Sequence, residues 1–419
     1  MKRSSVLLFA FPLLAVACGS SGGGSTTPPP SMDGGGEGGG PRPEAGPGED
    51  APAPVDNVAT LSVNAGPSGA NSADVPYVSV TICVPGTSTC QTVEDVIVDT
   101  GSSGVRILAS ALSSDIALPQ QTAPAGGSLL ECTQFDSGYT WGSIRFADVK
   151  VGGEVASRIQ IQLVGDPEFA SVPSSCSSSG QGIDSVYGLG GNGLFGINQI
   201  VADCGDICAG SGVPGAYYSC DGSSCSTVGV AVAAQVSNPV ASFAKDNNGA
   251  VVEFPTVPAL GAPTLAGQLI FGIGTEANNA LGSAKVITVD QYGSFTTNFN
   301  GQSLGQSFID SGSNSLAFDD SSIPTCAGEL NFLFCPSSTL NLVAENEGLN
   351  GVTSSVSFPV ANADTLFESA SNTAFDDLAG PGIGGPSFDW GLPFFMGRNV
   401  FVAIADANTP GGKGPYFAY

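Results

Sequence analysis

The feature that most restricts this chain is a short pattern that occurs twice. Val96-Ile97-Val98 leads into Asp99-Thr100-Gly101-Ser102-Ser103-Gly104, and Ser307-Phe308-Ile309 leads into Asp310-Ser311-Gly312-Ser313-Asn314. In each case an apolar run reads as a buried strand, an aspartate ends it, and a hydroxyl residue, a glycine and a serine turn the chain. The three letters alone mean little, because Asp136-Ser137-Gly138 carries them without the apolar strand. The matched flanks are much harder to obtain by chance. Downstream of each turn, at similar distances, two apolar residues precede a glycine: Leu194-Phe195-Gly196 and Phe395-Met396-Gly397. The chain therefore reads as one supersecondary plan used twice.

The segments around these turns are β-patterned. In Val75 to Ile82, the apolar Val78, Val80 and Ile82 alternate with Ser79 and Thr81, with Pro76 suited to a strand start or an edge. Further strands are expected over 96–98, 143–151, 158–164, 268–272, 286–290 and 400–405. Helical periodicity is scarce, with short candidates only at 238–244 and 365–370. The expectation is a mostly β protein with turns rich in glycine and asparagine.

The amino terminus reads as an address. Met1-Lys2-Arg3 is a basic start, and the apolar run from Val6 to Val16 has the length of a signal h-region, too short to span a bilayer. It ends in Leu14-Ala15-Val16-Ala17-Cys18, which resembles a bacterial lipobox, so residues 1–17 are expected to be removed and Cys18 lipidated. Acyl chains would anchor the protein without a transmembrane helix. Gly19 after the cysteine resembles the proteobacterial outer-membrane sorting pattern, on the periplasmic or the surface face. Residues 18–57 are almost wholly Gly, Pro, Ser, Ala and acid, the composition of a disordered spacer. Beyond it, two lobes are expected at 58–245 and 246–419.

Composition removes several chemistries. The chain has no histidine, which excludes Ser-His-Asp and Cys-His catalysis and every zinc site that needs an imidazole. A net charge of −26, from 11 basic and 37 acidic residues, argues against a nucleic-acid partner. Removing Cys18 from the 11 cysteines leaves an even set in an oxidising compartment, so disulfides are expected rather than a metal cluster. Nearest-neighbour pairing would join Cys83 to Cys90, Cys204 to Cys208, Cys220 to Cys225 and Cys326 to Cys335, leaving Cys132 and Cys176. The run from Cys204 to Cys225 leaves room for an interleaved alternative.

With both aspartate turns in view, the sequence resembles the pepsin and retropepsin superfamily of aspartic peptidases over most of residues 75–419. The resemblance implies a two-lobed, mostly β pepsin-like fold with Asp99 and Asp310 together in an interlobe cleft. It implies endopeptidase chemistry on a peptide or protein substrate, with no metal and no organic cofactor. By the same resemblance, Thr100 and Ser311 would lock the two loops together. Gly101 and Gly312 would permit close approach, and Ser102 and Ser313 would hydrogen-bond the carboxylates from outside. Tyr139-Thr140-Trp141-Gly142 looks like the family's flap hairpin, with Tyr139 as the flap candidate and Phe135 or Trp141 as alternatives. Phe395-Met396-Gly397-Arg398-Asn399 is close to the retropepsin form of the apolar-apolar-Gly motif, with Arg398 expected in a structural ion pair. Two carboxyls a few Å apart share one proton, so one can activate a water while the other donates to the substrate carbonyl.

Two other functions remain open at this level. A pepsin-like fold that has lost activity would serve as a binding or surface-interaction module. A two-carboxylate glycosidase is weaker, since nothing in that chemistry requires duplicated Asp-Thr/Ser-Gly turns. The run Gly188-Leu189-Gly190-Gly191-Asn192-Gly193 matches the dinucleotide fingerprint, but no helical pattern follows it, so no nucleotide site is expected.

Overall fold

The computed structural model describes residues 56–210, 215–382 and 384–419. The expectations for the signal segment, for Cys18 and for most of the spacer lie outside the described residues. Residues 56–419 belong to one compact unit.

The first half supplies β1 (Val58–Val63), β2 (Pro76–Cys83), β3 (Cys90–Asp99), β4 (Ser103–Leu108), β5 (Ser128–Phe135), β6 (Gly138–Val151), β7 (Glu154–Val164), β8 (Gly193–Ile197), β9 (Tyr217–Asp221) and β10 (Ser224–Thr227). The alternation read in β2 is real: Val78, Val80 and Ile82 point inward and Ser79 outward. Pro76 is the first residue of that strand, where its missing N–H does least harm. The order β2-β3-β8-β4-β7-β6, with β6 also pairing to β2, closes these strands into a barrel. The end of β3 lies inside that barrel wall, parallel to β8, so its last four residues are all buried. That is why Val96-Ile97-Val98 is continuously apolar rather than alternating.

The second half supplies β11 (Gly249–Glu253), β12 (Leu265–Phe271), β13 (Val286–Thr288), β14 (Phe295–Phe299), β15 (Gln302–Ile309), β16 (Leu316–Ala317), β17 (Leu340–Glu347) and β18 (Thr353–Val360). It continues with β19 (Ala379–Gly380), β20 (Asp389–Trp390), β21 (Asn399–Ala403), β22 (Asn408–Thr409), β23 (Gly412–Lys413) and β24 (Tyr416–Ala418). Seven of these form their own sheet, in the order β18-β17-β14-β15-β20-β16-β19. Its interior is aromatic. Phe318 stacks on Phe388 at 4.8 Å and Phe388 on Trp390 at 4.1 Å, with Phe299 and Phe358 edge-on around them. Such pairs add about 0.5–1.5 kcal/mol each beyond the area they bury. Between the halves, β1-β12-β11-β21-β24-β13 continues the first sheet without a break, and β1 runs antiparallel to β12. The molecule is therefore mostly β and two-lobed, with a cleft between the lobes.

Neither helix candidate extends far. Residues 238–244 hold one 3₁₀ turn, Val240–Ser242, and residues 365–370 hold only the end of the four-residue helix Ala363–Leu366, capped by Asn362. Both follow an asparagine that bonds the backbone ahead of it, a device that starts a turn as readily as a helix. The five disulfides among the described residues follow nearest-neighbour pairing, with Cys132 joined to Cys176. That last bridge spans 44 residues and by loop closure contributes about 4 kcal/mol. No helix among the described residues is long and apolar enough to cross a membrane.

Candidate active site

The two aspartate turns meet back to back. Thr100 Oγ1 donates to the Ile309 carbonyl at 3.0 Å, and Ser311 Oγ donates to the Val98 carbonyl at 2.7 Å. Each hydroxyl also accepts from the opposite backbone: Ser311 N donates to Thr100 Oγ1 at 2.9 Å, and Thr100 N to Ser311 Oγ at 3.1 Å. These four bonds are buried and reciprocal, so each turn fixes the other. A Cβ on Gly101 would lie 2.5 Å from Asp310 Cγ, and one on Gly312 would lie 2.9 Å from Asp99 Oδ1. No other residue type fits at either position, because each glycine backbone lies directly against a carboxyl group.

Asp99 and Asp310 are thus neighbours, exposed to only 1% and 0%. Asp99 accepts from Gly101 N at 2.8 Å, from Ser102 N at 3.2 Å and from Ser102 Oγ. Asp310 accepts from Gly312 N at 2.7 Å and from Ser313 Oγ at 3.0 Å. Burial pushes the Asp310 carboxyl well above the usual range. The charges of Asp99 and Asp389 and a hydrogen bond to Asp99 push it the same way, against the Gly312 N–H. Asp310 therefore keeps its proton to higher pH than an ordinary carboxyl.

The second apolar-apolar-Gly element is not where the sequence placed it. In the first half, β3 and β8 set Val98 beside Phe195 and Asp99 beside Gly196. In the second, β15 and β20 set Phe308 beside Asp389 and Ile309 beside Trp390, so the equivalent of Gly196 is Gly391. A Cβ on Gly391 would lie 2.2 Å from the Ser315 carbonyl, and one on Gly196 would lie 2.9 Å from the Gly104 carbonyl, the matching atom. Gly397, at φ +74°, abuts Thr256 instead. Requiring two apolar residues before the glycine passed over Asp389-Trp390-Gly391, because a carboxylate occupies the position of Leu194. Arg398 also departs from expectation. Its Nη1 donates to the Phe394 carbonyl at 2.6 Å and its guanidinium lies over the Phe394 ring, with no ion pair among the described residues.

A cavity of about 430 Å³ opens beside the first turn, lined by Gly101, Ser102 and Ser103 from one lobe and by Val289 and Tyr292 from the other. The hairpin of β5 and β6 contributes Phe135 to its wall. Tyr139 bonds through its backbone to Gln181 and Ile183 and packs with Trp141, away from that cavity, and Trp141 donates to the Phe169 carbonyl. The hairpin aromatic in the cavity wall is therefore Phe135. Arg106, buried at 0%, underlies the same wall. It donates to the Ser103 carbonyl at 2.7 Å, to Thr133 Oγ1 at 3.0 Å, and to Glu131 and Asp203 at 3.1 and 3.0 Å. Asp203 is pushed well up by burial and then by Glu131, with Arg106 and Tyr217 acting the other way. Arg106 thus ties the exit of the Asp99 turn to the hairpin. Its signal was visible as a charge within Val105-Arg106-Ile107-Leu108, an otherwise apolar strand.

The glycines of 188–193 run from the short helix Val186–Leu189 into the start of β8 rather than opening a helix after a strand, the reverse of a dinucleotide loop.

A sequence profile for the family described as protein of unknown function (DUF3443) matches residues 53–419. No curated protein matches. Among solved structures, the chain is similar to the aspartic proteinase from Irpex lacteus at 14% identity and a TM-score of 0.49, over 86% of this chain and 96% of that one. At that level the likeness carries nothing about activity, and the fold described above stands on strand order and register alone.

Proposed function

The chain belongs to the DUF3443 family, and we propose that it is an aspartic endopeptidase hydrolysing peptide bonds through a water activated between Asp99 and Asp310. The observation that carries this reading is the pair of interlocked turns, which brings the Asp99 and Asp310 carboxyls together with Asp310 pushed up, chiefly by burial. Three donors converge on Asp99, which places it to take the proton of the attacking water. Asp310 holds its proton toward the substrate carbonyl and passes it to the product amine. The adjoining cavity would hold a side chain next to the scissile bond, and Phe135 and Tyr292 favour an apolar one.

The near-complete burial of both carboxyls is also what a binding module without activity would show. One assay separates the two readings. Intact protein is incubated with unfolded proteins and peptide libraries across roughly pH 3 to 7. Cleavage is expected, and Asp99→Asn and Asp310→Asn are each expected to abolish it. Folded wild-type protein that cleaves nothing over this range would leave the binding reading.

The proposed setting is the bacterial envelope, with Cys18 lipidated, residues 18–57 as the spacer, and the outer membrane as the membrane. The support is the Leu14-Ala15-Val16-Ala17-Cys18 sequence. Labelled palmitate is expected to enter the protein and to be lost with Cys18→Ser; equal incorporation by that variant would end the proposal.

A further inference from the structure

Asp389 is a carboxyl that the reaction above does not use. It is 3% exposed, and it stands on β20 where the first half has the fully buried Leu194. The groups that face it are all acidic or neutral: Asp310 and Asp99 from the two turns, Asp136 from the hairpin tip, and Ser313. None of the ion pairs among the described residues includes it. Its Oδ1 is buried with no hydrogen-bond partner. Ser313 is a hydrogen-bonding neighbour of Asp389, and its hydroxyl donates to Asp310 Oδ2 at 3.0 Å.

A hydroxyl has a single proton. When Ser313 gives that proton to Asp310, its contact with Asp389 needs a proton from the other side. Resting on the peptidase reading, we propose that Asp389 is a third, protonated carboxyl of the site, donating to Ser313 and so directing the Ser313 hydroxyl at Asp310. The hydrogen bonds then run one way, from Asp389 through Ser313 to Asp310. When Asp310 gives up its proton in the reaction, the carboxylate that appears is met by a hydroxyl already aimed at it. Asp389 is a positioning residue, and the arrangement is one-sided: on the first turn Ser102 bonds Asp99, and the strand position equivalent to Asp389 is apolar. Burial is the main force that pushes the Asp389 carboxyl up; the Ser313 hydrogen bond pulls it down by less, and the charges of Asp99 and Asp136 act with burial.

The sign of a pH shift decides between a neutral and a charged Asp389. Loss of a donor to the Asp310 carboxylate makes its ionisation harder, so the alkaline limb of kcat moves to higher pH. Loss of a negative charge beside it makes ionisation easier, so the limb moves to lower pH. Asp389→Leu and Ser313→Ala are expected to move the limb upward and to lower kcat roughly tenfold or more with KM unchanged, the cost of one hydrogen bond to a charged group. Asp389→Asn, which keeps an N–H donor for Ser313, is expected to recover part of the loss, and Asp389→Leu in a Ser313→Ala background is expected to add nothing. A downward shift in Asp389→Asn would overturn the proposal. Infrared difference spectra of the intact protein give a second reading without substrate. A protonated-carboxyl band at neutral pH that Asp389→Asn removes is expected, and an identical spectrum in that variant would overturn the proposal even for a protein that cleaves nothing.

Discussion

Thr100 and Ser311 show how much one hydroxyl can hold. Each donates to a carbonyl of the opposite lobe and accepts that lobe's backbone N–H, and all the groups are buried. Replacing Thr100 by valine keeps the shape but leaves the Ile309 carbonyl and the Ser311 N–H unpaired. Each such group costs about 1–3 kcal/mol, so Thr100→Val is expected to lower stability to urea by roughly 2–6 kcal/mol. A loss below about 1 kcal/mol would show that water replaces the bonds and that the turns are not locked. These residues were legible in the sequence because they lie inside the repeated pattern. Arg106 and Asp389 were not legible as site residues. Their roles depend on Ser103, Glu131 and Asp203 in one case and on Ser313 in the other, partners that no spacing along the chain reveals.

At the scale of elements, most strands could be read because their alternation or their apolar runs are strong. The element after the second turn could not. Two apolar residues before a glycine point to Phe395-Met396-Gly397, whereas the parallel pairing of β15 with β20 selects Trp390-Gly391. Apolarity there was a proxy for burial, and Asp389 is buried without being apolar. The two glycines can be told apart. A methyl group on Gly391 meets the Ser315 and Ser313 carbonyls at 2.2 and 2.8 Å, both backbone atoms behind the Asp310 turn. Gly391→Ala is therefore expected to unfold the second lobe or to abolish any activity, whereas Gly397→Ala pays mainly for its positive φ, roughly 1 kcal/mol. Thermal unfolding of the two variants checks this, and similar midpoints would show that the register is wrong.

Across the molecule, buried carboxyls with raised affinity for protons recur. Asp74, Asp203, Asp310 and Asp389 are all pushed well up, chiefly by burial, and Asp377 is pushed to about 6. In each, the folded state holds a proton that the unfolded chain releases at lower pH. The folded protein thus binds more protons above the ordinary carboxylate range, near pH 4, and stability falls as pH rises through the folded values. The charge of −26 adds self-repulsion in the same direction. The melting temperature is expected to be highest at mildly acid pH and to fall by several degrees toward pH 8. Calorimetry across that range tests it, and a melting temperature that rises toward pH 8 would show that these groups are ionised in the fold.

The sequence by itself determined the strand-rich class, the two aspartate turns, the short-range disulfides and the exclusion of histidine chemistry. All of these follow from local alternation, from neighbours along the chain, or from a residue type being absent. Only the tertiary structure decided which strand lies beside Ile309, which hairpin aromatic reaches the cavity, and that a third carboxyl stands behind the pair. Those depend on register between strands far apart in the chain. A shift of one residue would turn each of these side chains to the other face while leaving the local pattern unchanged.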